Sequence, residues 1–190
     1  KLMKGFIGSG NIDTNSRLCM ASAVAAHNRA FGEDVVPCSY EDLDAADLIL
    51  LVGSNTAWCH PVIWQRIEKA RAERGTKLVV IDPRRTETAK IADAHHRVRP
   101  GTDVWVLLAI VREVCALGPR PAAYVDGVET VREAVAPFTP EVAQALSGMP
   151  AATVRELAAA LLGARSAAVH GRMGVSTQAH GVLCQWAIQV

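Results

Sequence analysis

Asp47-Leu48-Ile49-Leu50-Leu51-Val52-Gly53-Ser54-Asn55-Thr56 decides the fold. Its aliphatic run does not alternate with polar residues, so it reads as a strand buried on both faces, closed by a Gly-Ser-Asn turn. From His60 to Arg74 the apolar residues Val62, Ile63, Ile67 and Ala70 recur at helical spacing, and Gly75 ends the run. Lys77-Leu78-Val79-Val80-Ile81 is a second buried strand, stopped by Asp82-Pro83. Strand, helix and strand in this order form a βαβ unit, which requires a parallel sheet. The fold class is therefore α/β, a Rossmann-like parallel sheet flanked by helices.

Working outward, Thr86 to Ala92 reads as a short helix and His95 to Arg99 as a third strand. Thr102 or Asp103 caps a long helix through Val104 to Leu117. Gly118 to Pro121 reads as a loop, a hinge between two lobes. An alanine-rich helical stretch follows, with N-caps at Thr139 and near Met149-Pro150, and Ser166 to His170 is a later strand ending at Gly171. Upstream, Asn15 to Phe31 is a helix that Gly32 terminates.

The composition excludes several classes. Half of the 190 residues are hydrophobic and 21% are charged, ordinary for a globular chain rather than a disordered one. A net charge of +1 gives no global field for nucleic acid or an anionic membrane, leaving at most a local basic patch at Arg84, Arg85, Arg97 and Arg99. The apolar runs are too short to cross a bilayer and no secretory leader is evident, so neither a membrane nor nucleic acid is an expected partner. Cys19, Cys38, Cys59, Cys115 and Cys184 are odd in number and widely spaced, without a C-x-x-C pair. That pattern disfavours a disulfide framework or an internal metal knuckle and suits a reducing, cytoplasmic setting. The start at Lys1 and the end inside an apolar run read as cut ends of a longer protein.

In open α/β sheets, ligands lie beyond the carboxyl ends of the strands, where helix N-termini present free amides. Three segments fall there: Val52-Gly53-Ser54-Asn55-Thr56, Ile81-Asp82-Pro83-Arg84-Arg85 and Gly101-Thr102-Asp103. Glycine admits a phosphate, an acidic side chain at a strand end holds ribose hydroxyls, and guanidinium pairs with phosphate through two prongs. The set describes a dinucleotide pocket. Singly, each is also an ordinary βα turn, since Gly, Asp and Asn form turns in any case. No G-x-G-x-x-G is present, which disfavours a nicotinamide dehydrogenase. Cys19 is the other candidate. It follows a polar stretch into a helix start close to Arg17, a setting that favours the thiolate, a soft ligand for a transition metal. The plain alternative is a small buried apolar residue.

These residues resemble a known family. Asn11-Ile12-Asp13-Thr14-Asn15-Ser16-Arg17-Leu18-Cys19-Met20-Ala21-Ser22, Tyr40-Glu41-Asp42-Leu43, Val52 through Pro61, Ile81 through Thr86 and Pro100-Gly101-Thr102-Asp103 are similar, in order, to the assimilatory nitrate reductases of the molybdopterin oxidoreductase superfamily. The resemblance implies that Cys19 is the protein ligand of molybdenum and that Asn15 contacts the pterin. It implies that Val52 to Cys59 wraps a guanine-dinucleotide phosphate arm, that residues 81–85 hold its ribose and base, and that residues 101–103 close the pocket. The cofactor so implied is molybdenum bis(molybdopterin guanine dinucleotide). The implied reaction is oxygen-atom transfer from nitrate, with electrons arriving through a 4Fe-4S cluster in the intact protein, outside this chain, from an electron-donor protein or reductase subunit. Arg17 would help draw in the anion. His170-Gly171-Arg172-Met173-Gly174-Val175-Ser176-Thr177-Gln178 is similar to other molybdopterin oxidoreductases, and there Met173 and Gln178 would approach the pterin.

On this reading residues 1–117 form the molybdenum-ligand and dinucleotide region, 118–165 a helical segment, and 166–190 a second cofactor-contacting strand and helix. Met20 stands where formate dehydrogenases of the superfamily usually carry histidine; methionine cannot relay a proton, so nitrate is favoured over formate. The rivals are a formate dehydrogenase or other molybdopterin oxidoreductase, and a non-catalytic nucleotide-binding module. The isolated chain is expected not to reduce nitrate. Trp58, Trp64, Trp105 and Trp186 read as core or interface residues, and His60 as a capping or packing residue.

Overall fold

A computed structural model describes residues 1–118 and 125–190. A helical turn over Leu2–Ile7 precedes α1 (Asn15–Phe31), which Gly32 closes at φ 83°. α2 (Tyr40–Ala45) leads into β1 (Leu48–Val52), all five residues of which are buried. α3 (Thr56–Cys59) and α4 (Pro61–Arg74) return the chain to β2 (Lys77–Ile81), and α5 (Glu87–Ile91) leads to β3 (Ala94–His96). Four helices follow: α6 (Asp103–Leu117), α7 (Val128–Val135), α8 (Pro140–Ser147) and α9 (Ala151–Gly163). β4 (Ala167–Gly171), α10 (Met173–Ser176) and α11 (Gly181–Gln189) complete the chain.

The four strands form one parallel sheet in the order β3-β2-β1-β4. Alternation along each strand divides two cores. Ile49, Leu51, Leu78 and Val80 face Trp64 and Ile67 of α4. Leu50, Val52 and Ile81 face the opposite layer, with Leu107 of α6, Val154 of α9 and Cys184 of α11. Each fully buried aliphatic side chain contributes roughly 1.5–3 kcal/mol, which is why β1, dry on both faces, lies at the centre. The chain leaves β1 toward β2 on one side and reaches β4 on the other. The order therefore reverses between β1 and β4, the position where open α/β sheets leave a crevice beyond the strand ends.

Most expected elements stand within a residue or two of the sequence reading. The third strand is the exception. Pairing stops at His96, and Arg99 instead donates to the carbonyls of Ala145 and Leu146 at 2.9 and 3.0 Å. Thr102 is the N-cap of α6 by position but donates its hydroxyl to Arg99 O at 2.6 Å rather than accepting from the helix. Of the loop expected over 118–121, Gly118 ends α6 at φ 76° and positions 119–121 lie outside the described residues. No helix among the described residues is long and apolar enough to cross a membrane.

Candidate functional site

At the reversal the β1 and β4 loops meet on two glycines. Gly53, at φ 58°, ends β1, and its N–H donates to Ile81 O at 2.9 Å. Gly174 N donates to Gly53 O at 3.0 Å, and Arg172 N to Val52 O at 3.1 Å. A Cβ on Gly174 would lie 2.7 Å from Gly53 Cα, and a Cβ on Gly53 2.8 Å from Val175 N. Neither approach is open to any residue with a side chain. The β1 and β4 loops thus meet backbone to backbone, and only glycine satisfies both.

The rest of the β1 loop is braced internally. Ser54 Oγ and Thr56 Oγ1 lie 2.8 Å apart and are buried. Asn55 Oδ1 accepts from Thr88 Oγ1 at 3.0 Å, while Thr88 Oγ1 accepts from Ala57 N at 3.0 Å. Asn55 therefore ties the loop to α5, and Ser54 and Thr56 shape it. Cys59 and Trp58 are exposed, Trp58 by 69%, so of the two alternatives for the tryptophans, core or interface, Trp58 is not in the core. Trp64 does enter the core.

Beyond β2, the Asp82 carboxylate accepts from Arg84 N at 2.8 Å, and Asp82 O lies 2.9 Å from His95 Nε2. Ile81 is buried in the sheet, whereas Pro83, Arg84 and Arg85 are exposed along the strand-end rim. Gly101 is exposed at φ 80°, and Asp103 is 3% exposed. Burial raises the Asp103 carboxyl above the usual aspartate range, and its bond from Gln178 Nε2 at 3.0 Å pulls the other way. The second Nε2 hydrogen is taken by Gly174 O at 2.9 Å, so Gln178 bridges α6 to the glycine contact. Its Oε1 is shielded and has no partner among the described residues. Met173 is 54% exposed beside it.

Cys19 is the fifth residue of α1 rather than part of its first turn, because the helix already begins at Asn15 with Thr14 as its cap. Between Ser16 and Ala21 it alone is half-buried; the others are exposed. Cys19, Ser22, Ala23 and Ala26 form the inward stripe of the helix, packed on α11 and on α10 just beyond β4. The sulfur-bearing face is thus directed to the elements at the strand ends. Arg17 is different: its Nε lies 2.8 Å from Asp13 Oδ1, and its side chain is 72% exposed. Two residues apart on a helix put Arg17 and Cys19 on nearly opposite faces.

Sequence reading missed a polar cluster around α10. Ser22 Oγ donates to Ser176 O at 2.7 Å, and Gln185 Nε2 donates to Ser176 Oγ at 2.7 Å. The available signal was Gln185, a glutamine inside the apolar run Val182-Leu183-Cys184-Gln185-Trp186-Ala187. It also missed His170, whose imidazole is pushed down to about 4 by burial and by the neighbouring Arg172 and His60. Alternation puts His170 on the α4 side of the sheet, and its Nε2 has no partner among the described residues. Among the described residues no three His, Cys, Asp or Glu side chains converge as a metal site.

A parallel sheet with helices on both faces and a reversal of strand order at β1 and β4 is an open doubly wound α/β fold, a class in which ligands lie beyond the strand ends. The family model described as Molybdopterin oxidoreductase matches residues 1–188, and the chain belongs to that family. It is 43% identical over 182 residues to a nitrate reductase of Klebsiella oxytoca, covering 95% of this chain and 21% of the relative. It is 33% identical over 186 residues to an F420-dependent formate dehydrogenase subunit alpha of Methanocaldococcus jannaschii, covering 96% of this chain and 28% of the relative. Among solved structures, acetylene hydratase from Pelobacter acetylenicus superposes with a TM-score of 0.80 over 96% of this chain and 25% of that one, at 23% identity, a likeness of fold. The chain spans about a fifth of the length of the Klebsiella relative.

Proposed function

We propose that this chain is the molybdenum-ligand and dinucleotide-binding part of a nitrate reductase that uses molybdenum bis(molybdopterin guanine dinucleotide). The observation that carries the reading is the placement of Cys19. A thiol at the one half-buried position between Ser16 and Ala21 lies on a helix that packs on α11 and on α10, and α10 carries the Gly174 that meets Gly53. The donor set fits a metal that brings further ligands on its own cofactor: one soft thiolate from the protein, and strand-end loops that admit close backbone approach.

Bound there, the cofactor supplies oxygen-atom transfer from nitrate and the two-electron change that accompanies it. Cys19 would hold the metal as thiolate, with Asn15 one turn earlier on the same helix. The loop from Val52 to Cys59 would hold a phosphate arm, with Gly53 letting the β4 loop close against it. Asp82, whose carboxylate is already oriented by Arg84 N, would hold ribose hydroxyls, and the exposed Arg84 and Arg85 would pair with anionic oxygens. Gly101, Thr102 and Asp103 would close the pocket through the bridge to Gln178, with Met173 on its rim. Arg17, held by Asp13, would add positive field rather than contact. Electrons would enter through a 4Fe-4S cluster of the whole protein, delivered by a donor protein or subunit in the cytoplasm.

The test is metal and substrate analysis of the whole purified protein. Stoichiometric molybdenum, lost or strongly reduced in Cys19→Ser, together with turnover of nitrate and not formate, is the expected result. Molybdenum retained in full by Cys19→Ser overturns the ligand assignment, and turnover of formate instead of nitrate overturns the substrate. The 190-residue chain alone is expected to show no nitrate turnover with an artificial electron donor.

A further inference from the structure

The inward face of α1 is built from small residues. Cys19, Ser22, Ala23 and Ala26 give a smooth stripe with little to interlock against α11. Apolar contact between such surfaces is non-directional and resists sliding and rotation poorly. A directional bond fixes what packing leaves free. Ser22 lies one turn beyond Cys19 on the same face, and its hydroxyl donates to Ser176 O at 2.7 Å.

The acceptor is itself rigidly referenced to the sheet. Ser176 N and Oγ both donate to Arg172 O, at 3.2 and 3.1 Å, and Arg172 N donates to Val52 O at 3.1 Å. From the other side Gln185 Nε2 donates to Ser176 Oγ at 2.7 Å; Ser176 and Gln185 are 5% and 3% exposed. Gly181 completes the joint. A Cβ there would lie 2.2 Å from Ser176 O and 2.8 Å from Ser22 Oγ, so α1, α10 and α11 meet where only a hydrogen atom fits. A continuous chain of hydrogen bonds therefore runs from the end of β1, through Arg172 and Ser176, to the helix turn that follows Cys19.

We propose that Ser22 is a positioning residue that registers the Cys19 sulfur against the strand-end crevice. The inference rests on the reading of Cys19 as the metal ligand. Ser22 touches no substrate; it acts through the placement of its helix. An error of one ångström in a ligand held this way lowers the rate of a geometry-dependent reaction steeply.

The experiment uses the whole molybdenum-loaded protein and compares Ser22→Ala with Ser22→Thr, which keeps the hydroxyl. Pterin per polypeptide and thermal midpoint serve as controls for cofactor loading and folding. The readouts are the molybdenum electron paramagnetic resonance signal and the separate values of kcat and KM. Ser22→Ala is expected to keep its pterin, show a shifted or broadened signal, and lose about tenfold in kcat with KM little changed. Ser22→Thr is expected to restore both signal and kcat. A wild-type signal and kcat in Ser22→Ala overturns the proposal, as does equal damage in Ser22→Thr, which would mark a packing effect. Should Ser22→Ala not accumulate, Ser22→Cys fills the same space with a weaker donor; an unaltered signal there also overturns it. Cys19→Ala separates the two layers of argument. A signal indifferent to Cys19→Ala sinks the ligand assignment itself, whereas a signal sensitive to Cys19→Ala but not to Ser22→Ala sinks only the role of Ser22.

Discussion

At Gly174 one methyl group decides whether two loops can meet. The Cβ of an alanine would stand 2.7 Å from Gly53 Cα and 2.8 Å from Gly53 O, both backbone atoms that cannot swing aside. Gly174→Ala is expected to lower stability by about 1–3 kcal/mol through overpacking, read from the denaturant midpoint at unchanged slope. Gly10→Ala, with nothing within 4 Å of its added carbon, is the control expected to stay near zero. Residues of this kind were half legible. Gly53 announced itself by ending an aliphatic strand, but the need for glycine at 174 comes from a neighbour far away in sequence, and no local pattern encodes that. Asp103 shows the same division. Its place before a long helix was evident, whereas its engagement by Gln178 depends on how α6 and β4 pack.

Between elements, short polar side chains do the joining. Thr88 on α5 donates to Asn55 Oδ1 and accepts from Ala57 N, each at 3.0 Å, and so clips the β1 loop and α3 to the next crossover. Thr88→Val keeps the shape and removes both bonds, leaving Ala57 N without its acceptor and Asn55 Oδ1 with only the longer bond from Thr88 N at 3.4 Å. A loss of about 1–3 kcal/mol is expected in equilibrium unfolding, and a loss below about 0.5 kcal/mol would mean that water replaces the hydroxyl. At this scale the sequence was most informative. The limits of β2, α1 and α4 follow from aliphatic runs and from Gly32 and Gly75, because the forces that set them are local. The third strand was placed too far along, since Arg99 is held by the end of α8, a partner that appears only on folding. α2 and α10 are too short to show a helical period and were not assigned, and α7 was not separated from the helical stretch that surrounds it.

For the whole molecule the consequence of burial is a dependence on acid. His170 titrates near 4 in the folded protein against 6.5 ordinarily, because burial and the charges of Arg172 and His60 disfavour its cation. The unfolded chain therefore binds more protons between those values. Stability from this source is complete above about pH 6.5 and drains away as the pH falls toward 4, at up to about 1.4 kcal/mol per pH unit. His60 and His96, also lowered chiefly by burial, act with the same sign. His170→Gln is expected to flatten the fall of the unfolding free energy between pH 6.5 and 4; an unchanged slope would show that His170 binds its proton alike in the folded and unfolded chain. The parallel sheet and its two helical layers were available from the order of strands and helices. The burial of His170 was not, because β4 reads as a mild alanine-valine run and the groups around His170, among them His60 and Arg172, come together only on folding.

Central β1 draws one neighbour from close by and the other from far down the chain. The salt bridge between Asp47 and Arg165 at the foot of that pairing joins positions 118 residues apart. Closing so long a loop sacrifices chain entropy before β4 returns any contact, whereas the β1–β2 hairpin-free crossover is comparatively quick to form. The glycine contact is thus a late arrival. A nascent polypeptide would display an uncovered β1 edge until β4, which follows helices α6 to α9, has emerged, and in pulsed hydrogen exchange the amides of β2 should gain protection before those of β4.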